Sequence, residues 1–224
     1  MTFTIVYLHG FRSSPASIKA ARLRDYVAAL PSATKPRLHI PELTHRPAAA
    51  VAEVAAWVER EADPKALTFI GSSLGGYYAT HLAERFGARA VLVNPTVRPY
   101  SDLQPWRGAQ TNLHTGATFE VTQAHFDELI ELRVARITRP ERYLLLVETG
   151  DEVLDYREAV AFYGGAFQYV RGSGDHTFTE FALLLPAILR FAGVGGARME
   201  HPPTLAPLAA PQGADQSVGA ALPD

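Results

Sequence analysis

Residues 66–87 read as a strand, a sharp turn and a helix with no loop between them. Ala66-Leu67-Thr68-Phe69-Ile70 is an apolar run with strand character, and Gly71-Ser72-Ser73-Leu74-Gly75 follows at once. Beyond it, Ala79, Leu82, Ala83 and Phe86 recur at i, i+3, i+4 and i+7, one face of a helix that Gly87 is placed to stop. Glycines at −2 and +2 mark Ser73, not Ser72, as the residue at the apex. Without Cβ atoms at 71 and 75 the backbone can turn sharply and the helix can close on a neighbouring strand. Such a turn lifts the serine oxygen out of a sheet, the setting of a nucleophile elbow. The pentapeptide alone also suits a plain strand-to-helix turn or a phosphate cradle. A P-loop is excluded because no Gly-Lys-Ser/Thr follows, and the spacing is not that of a dinucleotide-binding turn.

The rest of the chain repeats the alternation. Strands are expected at 3–8, 37–40, 67–71, 90–94, 143–148 and 166–170. Several, such as Ala90-Val91-Leu92-Val93 and Tyr143-Leu144-Leu145-Leu146-Val147, are continuously apolar, as parallel strands covered on both faces are. Helices are expected at 15–30, opening on Ser14-Pro15, at 47–62, at 155–163, and after Thr177, where Glu180 suggests a capping box and Pro186 a kink or break. The pattern predicts an α/β fold, a mostly parallel, doubly wound sheet flanked by helices. A single domain is expected over 1–194. Its alternation is interrupted by 98–142, a long, lid-like insertion with a helical stretch around Phe126, Leu129 and Ile130. From Gly195 the composition shifts to Gly, Pro and Ala, which predicts a disordered tail over 195–224.

Bulk composition excludes several classes. A formal charge of −2 and no Lys/Arg cluster give no electrostatic case for nucleic acid. The absence of cysteine rules out disulfides, thiolate zinc sites and a cysteine nucleophile. No apolar run approaches the ~20 residues that span a bilayer. Residues 1–10 read as a strand rather than a signal peptide, so a cytoplasmic address is expected.

A serine hydroxyl needs a base, and the base needs an orienting group. In α/β-hydrolases these follow in the order Ser, Asp or Glu, His. Here Asp151 lies just beyond the strand at 143–148 and His176 just beyond the strand at 166–170, where sites form in open sheets. Asp155 competes with Asp151 but is placed to cap the next helix, and Asp175 reads as a turn residue. His39, His45, His114, His125 and His201 are expected on strand ends, loops or the tail, and His81 in a helix. The Leu74 N–H points to where an oxyanion would form, and the Phe11 N–H of the loop after the first strand is its expected partner. His9 is read as a brace for that loop.

These residues stand in longer runs that resemble the YqiA/YcfP-type esterases of the α/β-hydrolase superfamily. The runs are Tyr7-Leu8-His9-Gly10-Phe11 with Ser13-Ser14-Pro15, Gly71 to Thr80, Val93-Asn94-Pro95 with Val97-Arg98-Pro99, and Thr149 to Arg157. The resemblance covers nearly all of 3–194 and implies a compact α/β-hydrolase fold. It implies esterase or thioesterase action on simple acyl esters and acyl-CoA, a triad of Ser73, Asp151 and His176, and no metal or cofactor. Gly174-Asp175-His176-Thr177-Phe178 departs from the relatives at the residue before the histidine. An acyltransferase, a peptidase or a non-catalytic binding protein on the same fold are the competing readings. Within the insertion, some of Tyr100, Leu103, Trp106, Leu113, Phe119 and Phe126 are expected to wall an acyl pocket and select acyl length, with Tyr77 near the nucleophile.

Overall fold

The computed structural model describes residues 3–195. The expected tail therefore lies, Gly195 apart, outside the described residues. Strands β1 (Thr4–Leu8), β2 (Arg37–His39), β3 (Leu67–Ser72), β4 (Arg89–Val93), β7 (Tyr143–Glu148) and β8 (Phe167–Arg171) form one sheet in the order β2-β1-β3-β4-β7-β8. Every neighbouring pair in it is parallel. All six correspond to strands read from the apolar runs.

Side chains alternate between two buried layers with the period of the pleat. Val6 and Leu8 of β1, Phe69 of β3, Leu92 of β4 and Leu145 and Val147 of β7 face one layer. It is covered by α2 (Pro47–Glu61), α3 (Leu74–Phe86) and α6 (Tyr156–Phe162). Ile5 and Tyr7, Ile70, Val91 and Val93, and Leu144 and Leu146 face the other, beneath α1 (Ile18–Ala28) and α7 (Phe181–Phe191). Burial on both faces is why these strands are apolar without alternation.

Helix ends differ from expectation in three places. Ser14 does not cap α1: its Oγ accepts the Ala16 N–H in a preceding turn, and the helix starts at Ile18. Thr177 does not open a capping box, because α7 starts only at Phe181, behind Glu180. Pro186 neither ends nor divides α7. It removes one backbone donor, and buried Leu184, Leu185, Ile188 and Leu189 hold the helix on the sheet to both sides of it.

The insertion is more structured than a helical excursion. It contains a short helix α4 (Pro99–Asp102), an antiparallel hairpin of β5 (Gly108–Thr111) and β6 (Thr118–Val121), and α5 (Gln123–Glu131). Phe126 and Leu129 of α5 are core residues, and the Tyr77 hydroxyl donates to the Leu129 carbonyl at 2.6 Å. Tyr77 thus ties α3 to the insertion. Among the described residues no helix is long and apolar enough to cross a membrane.

Tyr7, Tyr77, Tyr78, Tyr143 and Tyr163 are buried, and burial pushes each phenol above its usual range. An unfolded tyrosine releases its proton near pH ~10. Above that value the unfolded chain binds fewer protons than the native one, so this stability is intact below about pH 10 and is lost as pH rises through the folded values. In an alkaline titration the phenolate absorbance of these side chains should grow in step with the loss of far-UV circular dichroism. Their full ionisation in a still-folded protein would contradict this.

Candidate active site

The chain runs from β1 outward to β2, then returns past β1 to β3 and on across the sheet. The order reverses between β1 and β3, and a crevice opens beyond the carboxyl ends of strands at such a point. Leu8 pairs in register with Gly71, so the residues just after β1 and β3 face one another. A methyl group on Gly10 would lie 3.2 Å from Ser73 Cβ and 3.8 Å from Ser73 Oγ. Sheet register alone therefore brings the His9-Gly10-Phe11 loop to Ser73.

Ser73 makes the whole turn between β3 and α3. Its φ of 53° and ψ of −121° lie outside the regions that L-residues favour. The surroundings hold it there. Its N–H donates to the Val93 carbonyl at 3.1 Å, and its own carbonyl accepts from Gly76 at 2.9 Å and Thr96 at 3.3 Å. A Cβ on Gly71 would meet the Gly75 carbonyl oxygen at 2.2 Å, and one on Gly75 the Leu8 carbonyl oxygen at 2.1 Å. The glycines thus let the first turn of α3 touch both its own strand and β1.

Asp151 and His176 arrive from the ends of β7 and β8, which finish level at the Glu148–Arg171 pair. Asp151 Oδ2 accepts from His176 Nδ1 at 2.8 Å, which leaves Nε2 to accept from the Ser73 hydroxyl at 3.1 Å. The other carboxylate oxygen accepts the N–H groups of Val153 and Leu154 at 2.8 and 2.9 Å. The Asp151 side chain is 2% exposed and that of His176 22%, so the acid is shut from water while the imidazole can be reached. Asp155 caps α6 as expected, its carboxylate accepting the Arg157 N–H at 3.0 Å.

Of the other described histidines, His9, His81, His45 and His125 have hydrogen-bonding partners within the fold. His9 Nε2 accepts the Leu43 N–H at 3.3 Å, so Nδ1 carries the proton and donates to the Gly10 carbonyl at 3.0 Å. Burial pulls its pKa down, which favours this neutral form. His81 contacts the Leu132 carbonyl. His125 is not a loop residue: it is the third residue of α5, buried, and it receives the Thr122 N–H of the capping box. Its Nε2 lies 3.0 Å from His45 Nδ1. Among the described residues no group of three or more His, Asp or Glu side chains is placed to hold a metal ion.

A cavity of about 250 Å³ is lined by Gly10 and Leu74, the neighbours of Ser73, while Ser73, Asp151 and His176 themselves are not among its lining residues. Gly10, Phe11, Leu74 and Tyr78 border it, Leu43 and His45 close it on the β2 side, and Phe119 of β6 comes over the top. The hairpin is fastened to the β1 loop. Arg12 Nε donates to the Thr111 carbonyl, the Leu113 N–H to the Arg12 carbonyl, and Asn112 to the Ser13 carbonyl. Phe11 stands edge-on to both Trp106 and Phe119. This corrects the expected wall: Leu113 is 71% and Trp106 40% exposed, and neither lines the cavity, whereas Phe119 does. The hairpin tip carries Leu113 outward.

Residues 4–193 match the uncharacterised protein family UPF0227. The chain belongs to this family. UPF0227 is the family to which the YqiA/YcfP-type motifs pointed. Among solved structures, a putative hydrolase from Agrobacterium vitis is 19% identical, with a TM-score of 0.65 over 84% of this chain and 88% of that one. The esterase domain of a Rhodothermus marinus protein is 16% identical, with a TM-score of 0.60 over 83% and 84%. The fold of this UPF0227 member is that of the α/β-hydrolases. A curated relative, dipeptidyl aminopeptidase B of Saccharomyces cerevisiae, is 28% identical over 103 residues. That match spans 45% of this chain and only 12% of the yeast protein.

Two residues beside the site escaped sequence reasoning. Glu148 ends an apolar strand and Asn94 follows another, and both are buried against the His176 loop. The one signal available was a carboxylate closing the otherwise apolar run of β7.

The Gly75–Leu8 approach is testable. Gly75→Ala should push α3 off β1 and cost about 1–3 kcal/mol in urea denaturation, the usual range for overpacking. Wild-type stability in that variant would mean that the helix can step back without loss.

Proposed function

We propose that this protein is a serine hydrolase that cleaves simple carboxylic acyl esters or acyl-CoA thioesters through an acyl-enzyme. The observation that carries the reading is the unbroken run of hydrogen bonds from Asp151 through His176 to Ser73. Its place at the strand ends supports it further, with a small cavity lined by Phe11 and Leu74, whose N–H groups are the proposed oxyanion donors. In the proposed reaction Ser73 Oγ attacks the acyl carbon as its proton passes to His176 Nε2. The N–H groups of Phe11 and Leu74 stabilise the oxyanion. Leu74 is the first residue of α3, where an N–H has no intrahelical partner. The bond to the leaving oxygen or sulfur breaks, and His176 returns the proton to that atom. Water then attacks the acyl-enzyme, gives a proton to His176, and the Ser73 hydroxyl is restored as the acid departs.

Ser73→Ala should abolish both ester hydrolysis and labelling by a serine-directed fluorophosphonate, while Ser72→Ala keeps both. Asp151→Asn should be severely impaired and Asp155→Asn nearly normal. Undiminished labelling of Ser73→Ala would overturn the reading. The partial match to a dipeptidyl aminopeptidase favours one alternative, amide cleavage on the same three residues. Matched ester and amide substrates distinguish the two.

The insertion is proposed as a fixed lid that limits the acyl group. The cavity falls below the ~300–1,000 Å³ of drug-sized sites. Phe119→Ala should raise kcat/KM for medium relative to short acyl chains, in steps of about 1–3 kcal/mol per methylene at most. Leu113→Ala should leave the ratio alone. Equal selectivity in both variants and wild type would reduce the hairpin to packing.

A further inference from the structure

We infer that Glu148 and Asn94 are positioning residues that set where His176 stands. The inference rests on the reading of His176 as the catalytic base. The segment that carries His176 has little to hold it by its own side chains. Gly172, Ser173 and Gly174 are exposed, and the next buried apolar side chain is Phe178. Ser173 and Gly174 both have left-handed backbones, with φ of 69° and 81°, which fold the chain back toward β7. Polar groups at the ends of β7 and β4 then grip its backbone.

Glu148 is wholly buried. One carboxylate oxygen accepts the Asp175 N–H at 2.8 Å, and the other accepts from Arg171 Nη1 at 2.9 Å. Arg171 also reaches Glu180 at 2.7 Å, just before α7. The Glu148 N–H donates to Asn94 Oδ1 at 3.0 Å. Asn94 Nδ2 in turn donates to the carbonyls of Asp175 at 3.0 Å and His176 at 3.3 Å. The donor before His176 and the carbonyls on both sides of its Cα–N link are thus fastened from beneath. Gly174 allows the approach, since a Cβ there would fall 2.1 Å from Glu148 Oε2. Around this centre, Gly150 donates to the Ser173 carbonyl and Ser173 to Thr149 Oγ1, both at 3.0 Å. The His176 N–H donates to Glu152, and Lys19 donates to the Thr177 carbonyl from α1.

Burying a carboxylate carries a large desolvation cost even when it is paired. An apolar residue would end β7 without that cost, as Val93 ends β4. The carboxylate is the group that can take a backbone N–H and an arginine at once. Its position joins the histidine loop to the strand whose next turn carries Asp151. The Nδ1–Oδ2 and Nε2–Oγ contacts depend on that join.

The test compares Glu148→Ala, Glu148→Gln and Asn94→Gly with wild type and Ser73→Ala. A chromogenic short-chain ester, the rate of fluorophosphonate labelling, thermal melting and the downfield imidazole proton signal of His176 are the measurements. Glu148→Ala should lower kcat on the order of 10²-fold, as a misplacement near 1 Å does, with KM nearly unchanged. Labelling should slow in parallel and the downfield proton signal should broaden, at temperatures well below melting. Glu148→Gln, which keeps an acceptor for Asp175 but faces Arg171 with a donor, should recover part of the rate. Wild-type kcat and an unchanged proton signal in folded Glu148→Ala would overturn the inference. If Glu148→Ala does not fold, Asn94→Gly decides by the same measurements, since it leaves the Glu148–Arg171 pair whole. Full activity in Ser73→Ala would instead sink the hydrolase reading. A dead Ser73→Ala beside fully active Glu148→Ala or Asn94→Gly would sink the positioning role alone.

Discussion

The close contact between the first turn of α3 and the end of β1 governs the rest of the site. Gly75 lies against the Leu8 carbonyl, with no room for a side chain between them. That contact fixes how far α3 stands from the sheet, and with it the direction of the Leu74 N–H and the height of Ser73. It also brings the β1 loop within reach of the serine. The strained backbone of Ser73 follows from the same constraint: a strand and a helix that meet this closely leave one residue for the whole reversal. Such a conformation persists only where its surroundings over-determine it. The bond its N–H gives to Val93 and the bonds its carbonyl accepts from Gly76 and Thr96 do so from two sides.

Around this centre the two halves of the site are held by different physics. On the β1 side the hold is largely aromatic and backbone. Phe11 packs between Trp106 and Phe119, and the hairpin bonds to Arg12 and Ser13. On the β8 side it is polar and buried, with Glu148, Asn94 and Arg171 under the His176 loop. Apolar contacts of the first kind fix the shape of a cavity wall. Directional hydrogen bonds of the second kind suit a loop whose one important side chain must meet two partners at once.

Strand identity and helix identity were legible because both rest on periodicity within a short window. The apolar runs at 90–94 and 143–148 had to be covered on both faces, and they are. Ser73, Asp151 and His176 could be named for a related reason. Each sits at the end of a recognisable strand, and parallel strands put all such ends on one edge. Helix starts were less legible: Ser14 and Thr177 are good cap residues used in turns before the helix instead. The roles of insertion residues were not legible, since Trp106 and Phe119 look alike in composition. Only the tertiary packing made Phe119 a cavity wall and left Trp106 outside the lining.

What the sequence by itself determined is therefore local. It set the alternation of strands and helices, the sharp turn at Ser73, and the order of serine, acid and histidine along the chain. These depend on residues within one element or its immediate flank. Tertiary structure alone decided the rest. It set the sheet order that turns back between β1 and β3, and the facing of Gly10 and Ser73. It brought Phe119 over the cavity and the Asn94 and Glu148 side chains beneath the His176 loop. Each of these joins groups far apart in the chain, and their meeting is settled by strand register and helix packing, which no short stretch of sequence encodes.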